Sequence, residues 1–234
     1  MNVSIKKSVF GIIVIFITSC STISYVPNIS LDISPKTINK SVQIEKFVDL
    51  SPLSDTKNPI GGFSVTNPEA LSNMLDVEVT NAVVADLSTS GLFKQVSRKI
   101  DNPDYILKGE IIKYAGKSEL NDFTKITLGI AVASMIMLSA TNNNNYILGV
   151  LPAYSYYFGV PFTKHTAKIE IIMKLYDKNN ILIGTYTGKA SDRNSSNLYH
   201  NKSLAVSRLT NKTFSSVIMQ IREQILKDIK ILEK

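Results

Sequence analysis

Cysteine and histidine are scarce in this chain, and tryptophan is absent. The 234 residues include a single cysteine, Cys20, and two histidines, His165 and His200. A disulfide requires two cysteines, and a structural zinc site usually takes four Cys or His ligands at short spacing. We therefore predict neither a disulfide nor a bound metal, and we expect both histidines to lie on the surface or to be satisfied by hydrogen bonds.

Motifs of the common catalytic sites are missing as well. The sequence contains no Gly-x-Ser-x-Gly elbow, no His-Glu-x-x-His motif and no phosphate loop ending in Gly-Lys-Ser or Gly-Lys-Thr. Asp76, Glu78 and Asp86 fall on the polar face of a predicted helix, where solvated carboxylates are the ordinary case. We expect a protein with no catalytic activity and no cofactor.

The first 20 residues have the layout of a secretory signal. Two lysines precede the apolar run Val9 to Ile17. That run is too short to be a stable anchor, because a bilayer-spanning helix needs roughly 20 apolar residues. The small residues Thr18 and Ser19 then come directly before Cys20, as they do before a cleavage site.

The arrangement Ile17-Thr18-Ser19-Cys20 resembles the lipobox of bacterial lipoproteins. In that family a diacylglycerol is attached to the cysteine sulfur, the signal is cut before the cysteine, and the new amine is acylated. The resemblance implies a signal peptide over residues 1–19 and lipid attachment at Cys20. Stable anchoring takes more than one chain, and a triacylated cysteine meets that condition. The alternative is an ordinary signal peptide with an incidental cysteine.

The lipobox resemblance also implies a location. An aspartate after the cysteine resembles an inner-membrane retention signal, but Ser21 stands there, so we expect the outer membrane, with the domain facing the periplasm. Export makes a nucleic-acid partner unexpected, although the net charge is +7 and residues 201–234 carry seven basic against three acidic side chains. We interpret this basic segment as the solvated face of a helix rather than as a surface for anionic lipids or glycans.

Beyond the signal, the sequence predicts one α+β domain. Residues 20–40 are rich in Ser, Asn and Pro and lack periodicity, which is typical of a flexible tether. Residues 41–234 alternate between the two-residue period of strands and the three-to-four-residue period of helices. In chain order the predicted elements are a strand over 41–50, a helix over 68–88, strands over 92–100 and 104–116, a hairpin over 165–192, and a helix from Leu204 onwards.

These elements assemble most simply into a two-layer sandwich, with an antiparallel sheet and two long helices on one face. The stretches VQIEKFVD, LSTSGLFKQV, DYILKGEI and AKIEIIMKLYDKNNILIGTY resemble small envelope lipoproteins. These are the YajG-like group and the fold shared by the curli-secretion protein CsgG, the LpoB activators and the TolB N-terminal domain. The resemblance implies a fold and no activity. The predicted core includes Val42, Ile44, Leu71, Leu75, Leu107, Ile169, Ile171, Ile218 and Ile225.

The stretch from Ile126 to Phe162 is an insertion without a single charged residue. We predict a helix near Thr127 to Ser139 and a turn at Asn142 to Asn145. Three interpretations stay open: a helical excursion covered by the domain or by a partner, a hairpin that dips into the bilayer interface, and a pore element. The candidate membrane- or partner-binding side chains are Ile130, Met135, Ile136, Leu138, Tyr146, Tyr154, Tyr156, Tyr157 and Phe158.

The sequence therefore favours a lipid-anchored envelope protein with a non-catalytic binding or scaffolding role. We expect its partners to be the membrane, reached through the N-terminal lipid, and another envelope protein. The alternative is a membrane-inserting secretion or assembly subunit similar to CsgG. Pores of that type insert strands that alternate apolar and polar residues over ~10 positions. Residues 127–140 do not alternate in this way, so we prefer the first interpretation.

Overall fold

The computed structural model of the protein describes residues 34, 37–52, 64–65 and 75–228. Cys20, the lipobox residues, most of the predicted tether and the beginning of the first predicted helix, with Leu71, lie outside the described residues. Within them, the first strand begins at Ile38, slightly before the predicted start of the domain at residue 41.

The predicted elements are present in the predicted order, whereas the short strand Ser64–Val65 and the helical turns that follow the inserted helix were not predicted. The helix predicted over 127–139 is present and longer than expected. In chain order the elements are β1 (Ile38–Ile44), β2 (Val48–Asp49), β3 (Ser64–Val65), α1 (Leu75–Thr89), β4 (Phe93–Ser97), β5 (Tyr105–Leu120), α2 (Asp122–Thr141), α3 (Leu151–Tyr154), β6 (Thr163–Asp177), β7 (Leu182–Ser196) and α4 (Lys202–Lys227). Two 3-10 turns, Asn144–Val150 and Ser155–Phe158, flank α3.

The sheet is mixed, so the prediction of an antiparallel sheet was wrong in this respect. Among the described residues seven strands form one sheet in the order β4-β1-β5-β6-β7, with β2 and β3 also paired to β5. β5, β6 and β7 are antiparallel, as the predicted hairpin requires. β1, however, is parallel to both β4 and β5. The chain crosses over from β1 to β4 through α1, and a helical crossover of this kind returns a strand in parallel.

One face of the sheet carries the core. Alternate residues along β5 and β6 are buried, and α1 and α4 cover them, while the opposite face stays half-exposed. The α+β fold class and this layering of helices on one face are confirmed. The predicted core residues that lie within the described part are all at most 2% exposed: Val42, Ile44, Leu75, Leu107, Ile169, Ile171, Ile218 and Ile225.

A buried ion pair joins the two core helices. Arg222 Nη1 on α4 lies 3.5 Å from Asp86 Oδ1 on α1, and the Asp86 side chain is fully buried. The expectation that Asp86 belongs to a solvated helix face is therefore wrong. The physical reason is that α4 covers this side of α1 and supplies the counter-charge that a buried carboxylate requires.

The outer strand β7 is closed off by α4. Gly188 permits close packing, because a Cβ at this position would lie 2.5 Å from the carbonyl oxygen of Val217. The Oε1 atoms of Gln224 and Gln220 accept the backbone N–H groups of Thr187 and Lys189 at 3.0 and 3.1 Å. These bonds satisfy groups that would otherwise form an open sheet edge. α4 therefore covers the β7 edge of the sheet around Thr187 and Lys189.

The two ends of the sheet differ in their connections. At the turn end, Asp177 to Ile181 connect β6 to β7, and β1 enters with Val42 opposite Tyr105. At the other end, which we call the hairpin end, Leu120 and Thr163 pair, and the inserted segment leaves and returns. β5 runs the whole distance, about 50 Å for its 16 residues.

Candidate functional site: an apolar hairpin and a basic groove

The inserted segment forms a helical hairpin, which we call the apolar hairpin and which comprises residues 122–158. Its first arm is α2. Asn121 caps α2 by accepting the N–H of Phe123 at 2.9 Å, and Asn142 ends it in the left-handed conformation, with φ of 53°. Asn143 then accepts the N–H of Asn145 at the start of the return arm. The predicted asparagine turn is thus confirmed, and it forms the tip of the hairpin.

The return arm packs directly against α2. It consists of α3 and its two 3-10 turns, with Pro152 inside α3. Gly149 lies so close to α2 that a Cβ there would overlap with the Ser134 side chain. The two arms therefore bury part of their apolar surface against each other and leave the outer surface of each without a covering element in the described part of the chain.

The base of the hairpin is firmly attached to the sheet. Phe162 O accepts the N–H of Asn121 at 3.1 Å and the hydroxyl of Thr124 at 3.0 Å. The Tyr156 ring packs edge-on against Phe162 with centroids 5.2 Å apart, and its hydroxyl hydrogen-bonds Thr127. These contacts bury Thr124, Thr127 and Tyr156 and fix where the hairpin leaves the domain.

Beyond this base the hairpin is exposed and apolar. α2 is long and apolar enough to cross a membrane by length and composition, with a mean hydropathy of 1.7, yet only 17% of that stretch is buried. Among the described residues, no other element covers these outer surfaces, so the described part of the domain does not provide the cover that the first interpretation requires. The exposed large side chains are Phe123, Ile126, Ile130, Val132, Ile136, Met137, Ile147, Leu148, Leu151, Tyr154, Tyr157 and Phe158.

The predicted surface residues divide into three groups. The first group is exposed: Ile130, Ile136, Tyr154, Tyr157 and Phe158, the last at 88%. The second group is half-buried: Met135, Leu138 and Tyr146. Tyr156 is only 2% exposed, so its assignment to a binding surface was wrong; its ring belongs to the base contact with Phe162. The exposed residues that were not predicted, such as Phe123 and Leu148, belong to or adjoin the same charge-free stretch, which was the available signal.

A groove of about 700 Å³ opens beside the hairpin base, and we call it the basic groove. Gly159 and Pro161, where the hairpin returns to the sheet, form one side of it. The end of β7 and the first half of α4 form the rest. Its charged lining residues are Arg193, Arg208 and Lys212 against the single carboxylate of Asp192.

The cations of the basic groove have no direct carboxylate partner among the described residues. Within the described residues, Arg193, Arg208 and Lys212 form no ion pair with a carboxylate within 4.0 Å. Asp192, the acidic lining residue, accepts the hydroxyl of Thr213 at 3.0 Å. The groove therefore presents a net positive potential to solvent.

His165 lines this groove and is fully buried. Its Nε2 is 2.7 Å from Ser196 Oγ, whereas its Nδ1 is buried without a hydrogen-bond partner among the described residues. Burial lowers the pKa of His165 below the usual histidine range, and the nearby Lys202 and His200 lower it further. His165 is therefore buried rather than on the surface and is hydrogen-bonded through one ring nitrogen, whereas His200 is exposed.

No group of three or more His, Cys, Asp or Glu side chains within the described residues is arranged to hold a metal ion.

Comparison with known proteins gives matches to solved structures at low sequence identity. No protein family matches the chain, and no curated protein sequence matches it.

Three solved structures illustrate what the chain is similar to. Protein XCC0632 from Xanthomonas campestris, of family DUF330, is 14% identical, with a TM-score of 0.46 over 87% of this chain and 98% of that one. A minor lipoprotein from Acinetobacter baumannii is 14% identical, with a TM-score of 0.35 over 82% and 95%. Lipoprotein GNA1162 from Neisseria meningitidis is 12% identical, with a TM-score of 0.33 over 80% and 99%.

Proposed function

We propose that this protein is a non-catalytic, lipid-anchored protein of the bacterial cell envelope that binds a bilayer through its apolar hairpin. The observation that carries the proposal is α2, a 20-residue apolar helix whose contacts with the rest of the described domain lie at its base. A soluble protein rarely exposes so large a contiguous apolar patch unless a membrane or another molecule covers it.

The distribution of polar groups along the hairpin favours a membrane. Asp122 and Lys125 form an ion pair of 3.0 Å in the first turn of α2, and no charged residue follows until Lys164 on β6. Tyr154, Tyr157 and Phe158 are exposed close to the same base, and aromatic rings favour the headgroup level of a bilayer. From its base outwards, the hairpin therefore carries charged, then aromatic, then purely apolar side chains. This order matches the change from the membrane surface through the headgroups to the hydrocarbon core.

The tip of the hairpin supports a second, deeper mode of binding. The charge-free part of α2, residues 126–141, is about 24 Å long, so it crosses a hydrocarbon core of about 30 Å only where the bilayer thins locally. Four consecutive asparagines, residues 142–145, lie at its far end. A hairpin that crosses the bilayer would place these amides among the opposite headgroups, which corresponds to the membrane-inserting alternative. Its insertion would be helical, so the strand insertion of CsgG-like pores is not part of this proposal.

The position of the lipid anchor limits how the domain can sit on its membrane. Ser34 donates its N–H to Ser90 O at the turn end of the sheet, opposite the hairpin. The 13 residues between Cys20 and Ser34 reach at most about 45–50 Å. An upright domain with its hairpin downward would raise Ser34 by the length of β5, about 50 Å, and more. The anchor and an inserted hairpin therefore reach one bilayer when the domain is tilted, so that Ser34 lies closer to the membrane surface than in the upright position.

Vesicle flotation of the unacylated mature chain tests the proposal without the contribution of the lipid. The test variant combines Ile130→Ser, Ile136→Ser and Phe158→Ser. We expect its binding to phosphatidylcholine vesicles to fall at least ~100-fold, because each large apolar side chain contributes roughly 1.5–3 kcal/mol when buried.

The matched control removes equally exposed apolar side chains from elsewhere in the molecule. It combines Leu50→Ser, Ile181→Ser and Leu182→Ser, and Ile181 is 62% exposed against 61% for Ile136. We expect this control to float with the vesicles as the wild type does. Equal loss in both variants, or no binding by the wild type, would contradict the proposal.

A further inference from the structure

We propose that the basic groove binds a phosphate group and that the anionic headgroup of a membrane lipid supplies it. This inference rests on the proposed membrane-binding function for the source of the phosphate. The binding chemistry itself rests on the groove alone.

Three cations converge on the groove from two elements. Arg193 comes from β7, whereas Arg208 and Lys212 are four residues apart and lie on one side of α4. Residues with this spacing are neighbours on a helix surface. Arginine offers a planar fork of N–H donors that matches phosphate oxygens, and lysine adds a mobile point charge. A cluster of this composition, facing a single carboxylate, is suited to a phosphate ester.

His165 provides a second and independent sign of a ligand. Its side chain is fully buried in the wall of the groove, and its Nδ1 lacks a hydrogen-bond partner among the described residues. A buried polar atom without a partner costs free energy, and native structures retain few of them. In the tautomer in which Ser196 Oγ donates to Nε2, Nδ1 carries the proton. The groove thus combines exposed cations with a buried ring nitrogen in its wall that makes no hydrogen bond among the described residues.

The position of the groove indicates the source of the phosphate. Gly159 and Pro161 line the groove and directly follow the apolar hairpin, which ends at Phe158. Tyr199, next to the groove, donates its hydroxyl to Tyr157 O of the hairpin at 2.9 Å. A bilayer that receives the hairpin brings its headgroups to this level. An anionic lipid can then place its phosphate in the groove and its acyl chains along the hairpin.

The test uses the full acylated chain in bilayer nanodiscs. The chain has only two histidines, so the imidazole nitrogen NMR signals of His165 and His200 can be resolved and assigned with one variant. Phosphatidylglycerol is titrated into phosphatidylcholine discs, and inorganic phosphate is added to pure phosphatidylcholine discs in a parallel arm. We expect the His165 signals to shift saturably with phosphatidylglycerol.

The variant Arg208→Gln with Lys212→Gln removes two of the three cations. We expect it to raise the half-saturating phosphatidylglycerol fraction about thirtyfold, or beyond measurement, since each cation near an anionic surface strengthens binding severalfold. The control Lys94→Gln with Lys178→Gln makes the same charge change at exposed positions away from the groove. It is expected to titrate like the wild type.

Each outcome of the titration decides a separate point. A saturable His165 response that the groove variant loses and the control keeps supports the inference. A response to inorganic phosphate with none to phosphatidylglycerol would overturn the lipid as the source. No response in either arm, with the hairpin inserted in the discs, would overturn the groove as a site. A hairpin that remains exposed to water in phosphatidylcholine discs would instead contradict the proposed function.

Discussion

The two longest helices within the described residues have opposite relations to the fold. α4 has 26 residues, and its buried side chains recur at three and four positions, from Leu209 to Ile225. α2 has 20 residues and is apolar on all sides, yet its buried residues are Thr124, Thr127 and Ala131. The helix with the lower apolar content therefore completes the core, and the more apolar one does not.

The difference shows that the arrangement of apolar residues, rather than their number, selects the helix that packs on the sheet. α4 packs one apolar stripe against the sheet. Polar residues outside this stripe remain free to form hydrogen bonds, and Gln220 and Gln224 accept backbone N–H groups at the β7 edge. A uniformly apolar helix suits surroundings that are apolar on all sides, and a bilayer provides them. The following experiments test this contrast.

The largest effect is expected from a charge placed on the buried stripe. Ile218 on α4 is 1% exposed, and Ile136 on α2 is 61% exposed. Ile218→Asp should abolish cooperative unfolding, because an unpaired buried charge costs several kcal/mol, a large part of the stability of a domain. Ile136→Asp should change the free energy of unfolding by about 0.5 kcal/mol or less. Circular dichroism melting of both variants makes the comparison, and a similar loss in the two would refute it.

The next effect concerns the ion pair that connects α4 to α1. Asp86→Ala removes the carboxylate that lies 3.5 Å from the buried Arg222 guanidinium. We expect a loss of about 3–5 kcal/mol in the free energy of unfolding, measured by urea titration. The double variant Asp86→Leu with Arg222→Met removes both charges and should recover most of this loss. If the single variant proves as stable as the wild type, the pair does not hold the helices together.

Removal of the hairpin should leave the domain folded. Residues 122–161 are replaced by a short Gly-Ser linker, which suits the site because Asn121 and Phe162 are already hydrogen-bonded to each other. We expect a single cooperative melting transition and complete loss of vesicle flotation. Local loosening around Phe162, which loses Tyr156, is the only structural change that we anticipate. Unfolding of the whole domain would show that the hairpin is a part of the core after all.

The smallest effect is a pH dependence at the groove. His165 has a lowered pKa in the folded state, so the unfolded chain binds a proton that the folded protein does not once the pH falls below the ordinary histidine value of about 6.5. The free energy of unfolding should therefore decrease as the pH falls through this value. Between pH 7 and 5, the free energy of unfolding of His165→Gln should decrease less steeply than that of the wild type. The difference in slope corresponds to at most about one bound proton. An identical slope in both proteins would contradict the assignment.

Local patterns predicted the elements well where a period is long and regular. The β6–β7 hairpin, α4 and the helix within the insertion follow from their own residues. The parallel pairing of β1 with β4 and β5 did not, because alternation along a strand is the same in either direction. That pairing depends on a crossover between distant residues, such as Val42 beside both Val96 and Tyr105.

The candidate site was predictable in part. The charge-free stretch marked the hairpin, but only the assembled fold shows that α2 lacks a cover and that Tyr156 is buried. The basic groove was not predicted, because Arg193 on β7 meets Arg208 and Lys212 through tertiary packing. The four-residue spacing of Arg208 and Lys212 was a signal in the sequence. Lipid attachment at Cys20 stays a prediction, which Cys20→Ala tests by release of the chain from the membrane fraction or by an uncleaved precursor.

The most direct measurement compares single cysteines at equal exposure on the two helices. Ile130 on α2 and Met219 on α4 are both 48% exposed. Ile130→Cys and Met219→Cys are each introduced into the acylated protein and treated with a water-soluble maleimide in phosphatidylcholine vesicles that contain no other protein. We predict that position 130 reacts at least ~10-fold more slowly than position 219, because apolar lipid excludes the charged reagent, and that both react at similar rates in water without lipid. Equal rates in the vesicles would contradict the claim that the apolar hairpin binds the bilayer.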